Sequence, residues 1–147
     1  MLFASRVLLN YPLPDPEVTA QHRALLEAHL YSFEKLELLH ALRSAGRPVS
    51  RDELVTVARL DRDVVADVLA QLELAHLVEL DASGKLASLG VTAREPICES
   101  LLALYQADRA AVMAVVSSIA VRRIRSMAAD AFADAFVLRK KKRGPDG

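Results

Sequence analysis

Residues 50–90, SRDELVTVARLDRDVVADVLAQLELAHLVELDASGKLASLG, decide the fold. Ser50 followed three residues later by Glu53 is a capping box, in which the hydroxyl takes a first-turn N–H and the carboxylate reaches back to the cap. Leu54, Val55 and Ala58 supply the inward face of a short helix, and a tight turn runs through Arg59 and Leu60. Asp61 is placed to cap a second helix whose Val64, Val65, Val68, Leu69 and Leu72 recur at three- and four-residue spacing. Arg62, Asp63, Ala66, Asp67, Ala70 and Gln71 fall on the other side of it. Beyond Ala75 the runs HLVEL and KLASL flank Asp81-Ala82-Ser83-Gly84, a loop of turn formers, which predicts a β-hairpin.

Upstream, YPLPDPE (residues 11–17) has prolines at alternate positions and must be extended. It ends in a helix start, with Asp15 as N-cap, Pro16 at the first helical position and Glu17 favouring the dipole. Apolar periodicity continues through Leu25, Leu26, Leu30, Phe33, Leu36, Leu39, Ala41 and Leu42 and stops at Ala45-Gly46, with Pro48 beyond. One long helix or two short ones broken near His29–Ser32 satisfy this pattern equally. Downstream, Pro96 suits a first helical turn, and Asp108 either restarts or continues the helix. The pattern then runs through Met113, Val116, Ala120, Ile124, Met127, Ala131 and Ala135. Unbroken from Asp108 to Val137, such a helix spans about 45 Å.

A preceding helix, a short capped helix, a turn with an inward leucine, a second helix and a small hairpin: over residues 30–90 this order resembles the winged-helix domains of MarR-type bacterial regulators. The fold class expected is mainly α, a winged helix-turn-helix with a small β-hairpin and a long C-terminal helical extension. The chain then divides into an N-terminal extended arm and helix (1–28), the winged helix-turn-helix domain (29–91), a C-terminal helical dimerisation region (92–138) and a basic flexible tail (139–147). A 45 Å helix cannot bury its apolar stripe against so small a module alone. The resemblance implies a homodimer, with Val112, Val116, Ile119, Ile124 and Met127 at its interface. The small side chains of Ala110, Ala111, Ala114, Ser117 and Ser118 permit close helix approach, although ordinary packing within the chain would use them as well.

Composition narrows the function. With 147 residues, 52% apolar and 26% charged, the chain can bury one sizeable core, and its five glycines and few aromatics favour helices over a sandwich. A single cysteine, Cys98, excludes an internal disulfide framework and a four-cysteine zinc site, and suits a reducing, cytoplasmic setting. Arg6 interrupts the apolar opening MLFASRVLLN, so no signal peptide is read. The longest charge-free apolar run, Ala110–Val121, is far shorter than the roughly 20 residues of a membrane span. No glycine-rich phosphate loop, nucleophile elbow or acid–base pair is present, and an enzyme is not expected. His22, His29 and His40 would lie near one face of a continuous helix, but no pair has the i, i+4 spacing of metal ligands, so no metal and no cofactor is expected. Cys98 near a helix start could be a thiol of lowered pKa, though packing beside Ile97 is the commoner role of such a residue.

The resemblance implies that the helix from about Asp61 to Ala75 enters the major groove of double-stranded DNA while the hairpin touches the flanking backbone. The contacts it implies are Arg51, Arg59, Arg62, Asp63, Ala66 and Lys85. Charge argues against an easy version of this. Residues 1–93 hold 9 Lys+Arg against 13 Asp+Glu, net −4, and residues 94–147 hold 10 against 6, net +4. Phosphate is neutralised by Lys and Arg, and the basic excess lies outside the module. Arg122, Arg123 and Arg125 read as a solvated helix face. The tail Arg139, Lys140, Lys141, Lys142 and Arg143 could draw an anionic partner or merely solubilise the end. Two functions follow: a DNA-binding transcriptional regulator acting as a homodimer, or an adaptor that uses the winged helix and the long C-terminal helix to dock proteins without binding DNA.

Overall fold

The computed structural model describes residues 17–142, with side chains as far as Val137. The expected N-terminal arm with Asp15 and Pro16, and the side chains of Arg139, Lys140, Lys141, Lys142 and Arg143, lie outside what is described. Helix α1 (Ala20–Ala28) does not begin at Pro16: residues 17–19 are not helical, and Thr19 is the cap. Thr19 Oγ1 accepts from the His22 N–H at 3.1 Å, and His22 Nδ1 accepts from the Thr19 N–H at 3.1 Å. That is a capping box with histidine in the place of glutamate. The chain breaks at His29–Ser32 and restarts as α2 (Phe33–Ala45), capped by Ser32 and closed by Gly46 in the left-handed conformation. Two helices, not one, satisfy the upstream periodicity.

Leu36, Leu38, Leu39 and Leu42 are all fully or almost fully buried, and with Ala41, Lys35 and Glu37 also covered α2 is buried on most of its surface. It packs against α3 (Arg51–Ala58), α4 (Arg62–Leu74), strand β3 (Leu86–Leu89) and α5 (Pro96–Ala107). Ser50 caps α3 through the Glu53 N–H at 3.1 Å, but only half of the expected box forms, because the Glu53 carboxylate binds Arg47 at 2.6 Å instead. Arg59 takes the left-handed conformation (φ 56°) in the turn, and Asp61 occupies the N-cap of α4 without a side-chain hydrogen bond. Strands β2 (Val78–Leu80) and β3 form the expected hairpin. A further strand, β1 (Val49–Ser50), pairs with β3 to give an antiparallel sheet of order β1-β3-β2, with Val49 opposite Ala87 and Leu80 opposite Ala87 on the other edge. The observed fold is thus a winged helix-turn-helix followed by a long helical extension.

Helix α4 ends in a Schellman turn: the Leu77 N–H bonds Leu72 O at 2.9 Å and the His76 N–H bonds Glu73 O at 3.0 Å. His76 holds the left-handed position (φ 60°) that glycine usually fills. Gly90 closes over this turn, bonding through its N–H to Leu77 O at 2.9 Å. A Cβ on Gly90 would sit 2.3 Å from the His76 carbonyl oxygen, a backbone atom that cannot step aside.

Asp108 (φ −146°, ψ 77°) separates α5 from α6 (Arg109–Lys142) and turns the chain by 114°. Its Oδ1 accepts the Ala111 N–H at 3.1 Å, so it restarts the helix as an N-cap. The 34 residues of α6 extend about 51 Å. Val112, Val116 and Ile119 are buried in the same cluster of side chains as α2 and α5. From Val121 to Val137 every residue is exposed. Beneath the bend, Glu37 of α2 accepts from the Tyr105 hydroxyl and from the Arg109 guanidinium. Burial, first, and the adjacent Glu37 raise the Tyr105 hydroxyl above its ordinary pKa, so it stays a donor. Among the described residues no single helix is long and apolar enough to cross a membrane.

Gly90→Ala is expected to lower stability by about 1–3 kcal/mol or more, because relief requires moving the Schellman turn itself. Urea unfolding followed by helical circular dichroism measures it; an unchanged midpoint would mean that the turn and β3 do not meet as described.

Candidate nucleic-acid interface

Three elements converge on one concavity of about 670 Å³: the start of α3, the first turn and a half of α4, and the hairpin tip. Ser50, Arg51 and Asp52 line one wall, Arg62 and Ala66 another, and Ser83, Gly84 and Lys85 the third. The tip is built by Asp81. Its carboxylate accepts the Lys85 N–H at 2.9 Å, the Leu86 N–H at 3.1 Å and the Ser83 hydroxyl at 2.9 Å. These bonds, led by that from the Leu86 amide, hold the Asp81 carboxyl below the usual range, so it remains ionised and keeps Lys85 in place. Gly84, at φ 70°, supplies the left-handed step of the loop.

Four residues expected at a DNA contact therefore share one surface: Arg51, Arg62, Ala66 and Lys85. Arg59 and Asp63 are exposed but lie outside the concavity. Two features escaped the sequence. Arg62 Nη1 lies 3.0 Å from Asp52 Oδ1, and both side chains are about three-quarters exposed. Such a pair contributes at most about 1 kcal/mol and exchanges readily for another anion. Second, Ser50 and Ser83 place hydroxyls beside the cations. Neither was visible until the α3–α4 turn and the hairpin had been brought together. Residues 47–85 carry five cations against eight carboxylates, so the local field is not positive overall.

The other candidates are placed as follows. Val112, Val116 and Ile119, expected at a dimer interface, are at most 5% exposed within their own chain and belong to its core. Ile124 and Met127 are 66% and 70% exposed. Arg122 and Arg123 are not merely solvated: Arg123 Nη2 donates to the Glu27 carbonyl at 2.6 Å, at the C-terminal end of α1, and Arg122 reaches the Glu27 carboxylate at 3.3 Å. His22, His29 and His40 share no helix face, because the chain breaks between α1 and α2. His22 Nε2 pairs with Ser100 Oγ at 2.9 Å, joining α1 to α5, and no three metal-ligating side chains gather among the described residues. Cys98 is fully buried. Burial, with Glu99 and Glu95 adding to it, pushes its thiol up to about 11, the reverse of the lowered pKa a reactive thiol needs.

No protein-family model matches the chain, and no curated protein matches it. Among solved structures the chain is similar to a MarR family protein of Mycobacterium tuberculosis, with 20% identity, coverage of 97% of this chain and 91% of that one, and a TM-score of 0.44. The winged-helix assignment rests on this chain's own helix order and sheet topology.

Cys98 is expected to resist iodoacetamide at neutral pH in the folded protein and to react within minutes once urea exposes it. Mass spectrometry of the alkylated chain reads the difference, and rapid labelling of the native form would restore the reactive-thiol reading.

Proposed function

We propose that the chain is a DNA-binding transcriptional regulator that acts as a homodimer through its winged helix-turn-helix. The observation that carries this is the convergence of Arg51, Arg62 and Lys85, from three elements, at the N-terminal end of α4. A helix of this kind enters the major groove with its first residues against base edges, here Arg62, Asp63 and Ala66, while the hairpin and the start of α3 meet phosphate. Lys85 and Arg51 then position and Arg62 reads or positions, according to what replaces Asp52 as its partner. Asp52 acts as a stand-in for phosphate in the free protein, and the exchange costs little because the ion pair is exposed. Few cations per module mean weak binding by one copy, and a dimer doubles the number of phosphates neutralised.

The distal part of α6 supports the second copy. Ala110, Ala114, Ser117, Val121, Ile124, Ala128, Ala131 and Ala135 follow one another at alternating spacings of four and three, the 3.5-residue period of a helix pair. All are exposed, and they lie opposite Val112, Val116 and Ile119, which face the chain's own core. Phe132 and Phe136, 76% and 61% exposed, extend the apolar surface. The adaptor reading draws on a different observation: Val91 is 67% exposed and shares a depression with Glu73, Glu79 and Leu80, an acidic and apolar surface unsuited to DNA.

Titration with random duplex DNA separates the two. A regulator binds at low salt with an affinity that falls steeply as salt rises; Lys85→Ala reduces the slope by about one per protomer, and Asp52→Ala strengthens low-salt binding by releasing Arg62. Absence of binding at low salt, to random duplex and to its own promoter, favours the adaptor. Light scattering on a sizing column is expected to give twice the 16.1 kDa chain mass for the native protein and a monomer for Ile124→Asp. A native monomer at micromolar concentration would remove the homodimer.

A further inference from the structure

Among the described residues α6 is exposed on every side from Val121 to Val137, and its composition there does not suit water. From Ser126 to Val137 the only polar residues are Ser126, Asp130 and Asp134, which share one face at a spacing of four. All the others are apolar. A helix that is apolar round most of its circumference belongs in a covered place. The stripe of Ile124, Ala128, Ala131 and Ala135, proposed as the seam with a second copy, uses one side of it. A further set, Ala129, Phe132, Ala133, Phe136 and Val137, flanks that stripe, and its three large members are 76%, 61% and 51% exposed. One neighbouring helix cannot lie on both sides at once.

The chain holds a segment that matches this second side. Residues 1–11, MLFASRVLLNY, are apolar at eight positions, and residues 1–14 carry one charged side chain, Arg6, and no carboxylate. Residues 126–137 are the converse, with the carboxylates of Asp130 and Asp134 and no cation. Length fits as well. Helix α1 is tied to the body at both ends, by His22 to Ser100 of α5 at 2.9 Å and through Glu27 to Arg122 and Arg123 of α6. The arm joins α1 at the Ser100 end, so the α6 clasp lies about 14 Å away, the length of a helix of 9 residues. Residues 12–16, PLPDP, are expected to be extended and span about 16 Å at about 3.1 Å per residue. Running back along α1, a spacer of that length brings residue 11 to the place where the distal part of α6 begins. Residues 1–11 then reach up to about 36 Å, against about 21 Å for residues 124–137 of α6.

We infer that the N-terminal arm docks on the distal part of α6 of its own chain, its apolar residues against Phe132, Phe136 and Val137 and Arg6 beside Asp130 and Asp134. Pro12, Pro14 and Pro16 lack N–H groups, so the spacer is suited to run alongside α1 without pairing with it. The stripe from Ile124 to Ala135 stays open to a second helix. The arm and the second copy therefore occupy different sides of α6, and neither depends on the other or on DNA.

The test uses the full chain carrying Ser5→Cys, a polar position of the arm, labelled with a nitroxide under native conditions. Cys98 is fully buried, and mass spectrometry verifies a single label per chain. Intensities in 1H–15N spectra are compared before and after ascorbate reduces the nitroxide. The amides of residues 129–137 are expected to lose their signals while the label is paramagnetic, and those of residues 62–85 to keep them. Phe132→Asp combined with Phe136→Asp, both at exposed positions, is expected to restore the signals. Arg6→Glu sets like charges together and is expected to speed amide hydrogen exchange over residues 129–137 by about fivefold. Signals at 129–137 that the label leaves untouched overturn the proposal. Labelled chains without 15N, mixed with unlabelled 15N chains, report on contact between copies; the same loss in that mixture hands the arm to the second copy and overturns docking within the chain. Light scattering reads the second copy separately, so signal loss in a protein of 16.1 kDa upholds the arm and removes only the homodimer.

Discussion

Everything in this fold is arranged around α2, because its four leucines, and with them Lys35, Glu37 and Ala41, are all covered by other elements. Leu36, Leu38, Leu39 and Leu42 point in different directions and all are buried. Each such side chain contributes about 1.5–3 kcal/mol when withdrawn from water. Helices α3 and α4 and strand β3 cover it from the winged-helix side, and α5 covers it from the other. The winged-helix module and the helical extension therefore share one central helix. Glu37, on that same helix, fixes the next step. An acid so placed needs strong partners, and those it has are Tyr105, near the end of α5, and Arg109, the first residue of α6. The bend at Asp108 is thus held from beneath by a charge on α2.

Much of this order was legible because it is local. The Ser50 cap, the turn at Arg59 and Leu60, the period of α4 and the loop formers Asp81–Gly84 each act within a few residues, and each is found where the spelling puts it. The failures have physical causes too. The first described helix starts at Ala20 rather than Pro16 because Thr19 caps it, and its pairing with His22 also serves a tertiary bond to Ser100. At Glu53 a nearby guanidinium competes successfully with a backbone N–H. Strand β1 is two residues long, too short for any alternation, and exists because β3 offers it an edge.

The residues of the candidate interface could be picked out of the sequence one by one, but not the surface that Arg51, Arg62, Ala66 and Lys85 share. Arg51 and Lys85 are 34 residues apart in sequence, 23 of them between Arg62 and Lys85, and the three meet only because the α3–α4 turn and the hairpin fold back together. Their electrostatics then depends on Asp52, which a count of charges treats simply as an opposing acid. In place, it is a weakly held partner of Arg62, so the module's apparent acidity overstates what a phosphate would meet. Asp63 and Asp67 have no such partner among the described residues and would keep their full cost near a phosphate.

Helix α6 shows most clearly why periodicity alone misassigns a face. Two apolar patterns overlap on it: Val112, Val116 and Ile119 on one side, and the small-residue stripe from Ala110 to Ala135 on the other. From the sequence both satisfy the spacing of a packed helix, and the bulkier set invites assignment to a partner. The structure gives the bulky set to the chain's own core, where large side chains fill the space beside α5, and leaves outside the small set, where a second helix could approach closely. Past Ala120 the helix continues with Ile124, Met127, Phe132 and Phe136 exposed among the described residues. Isolated exposed apolar residues are ordinary; a run of them along one helix is the feature on which the proposed second copy rests.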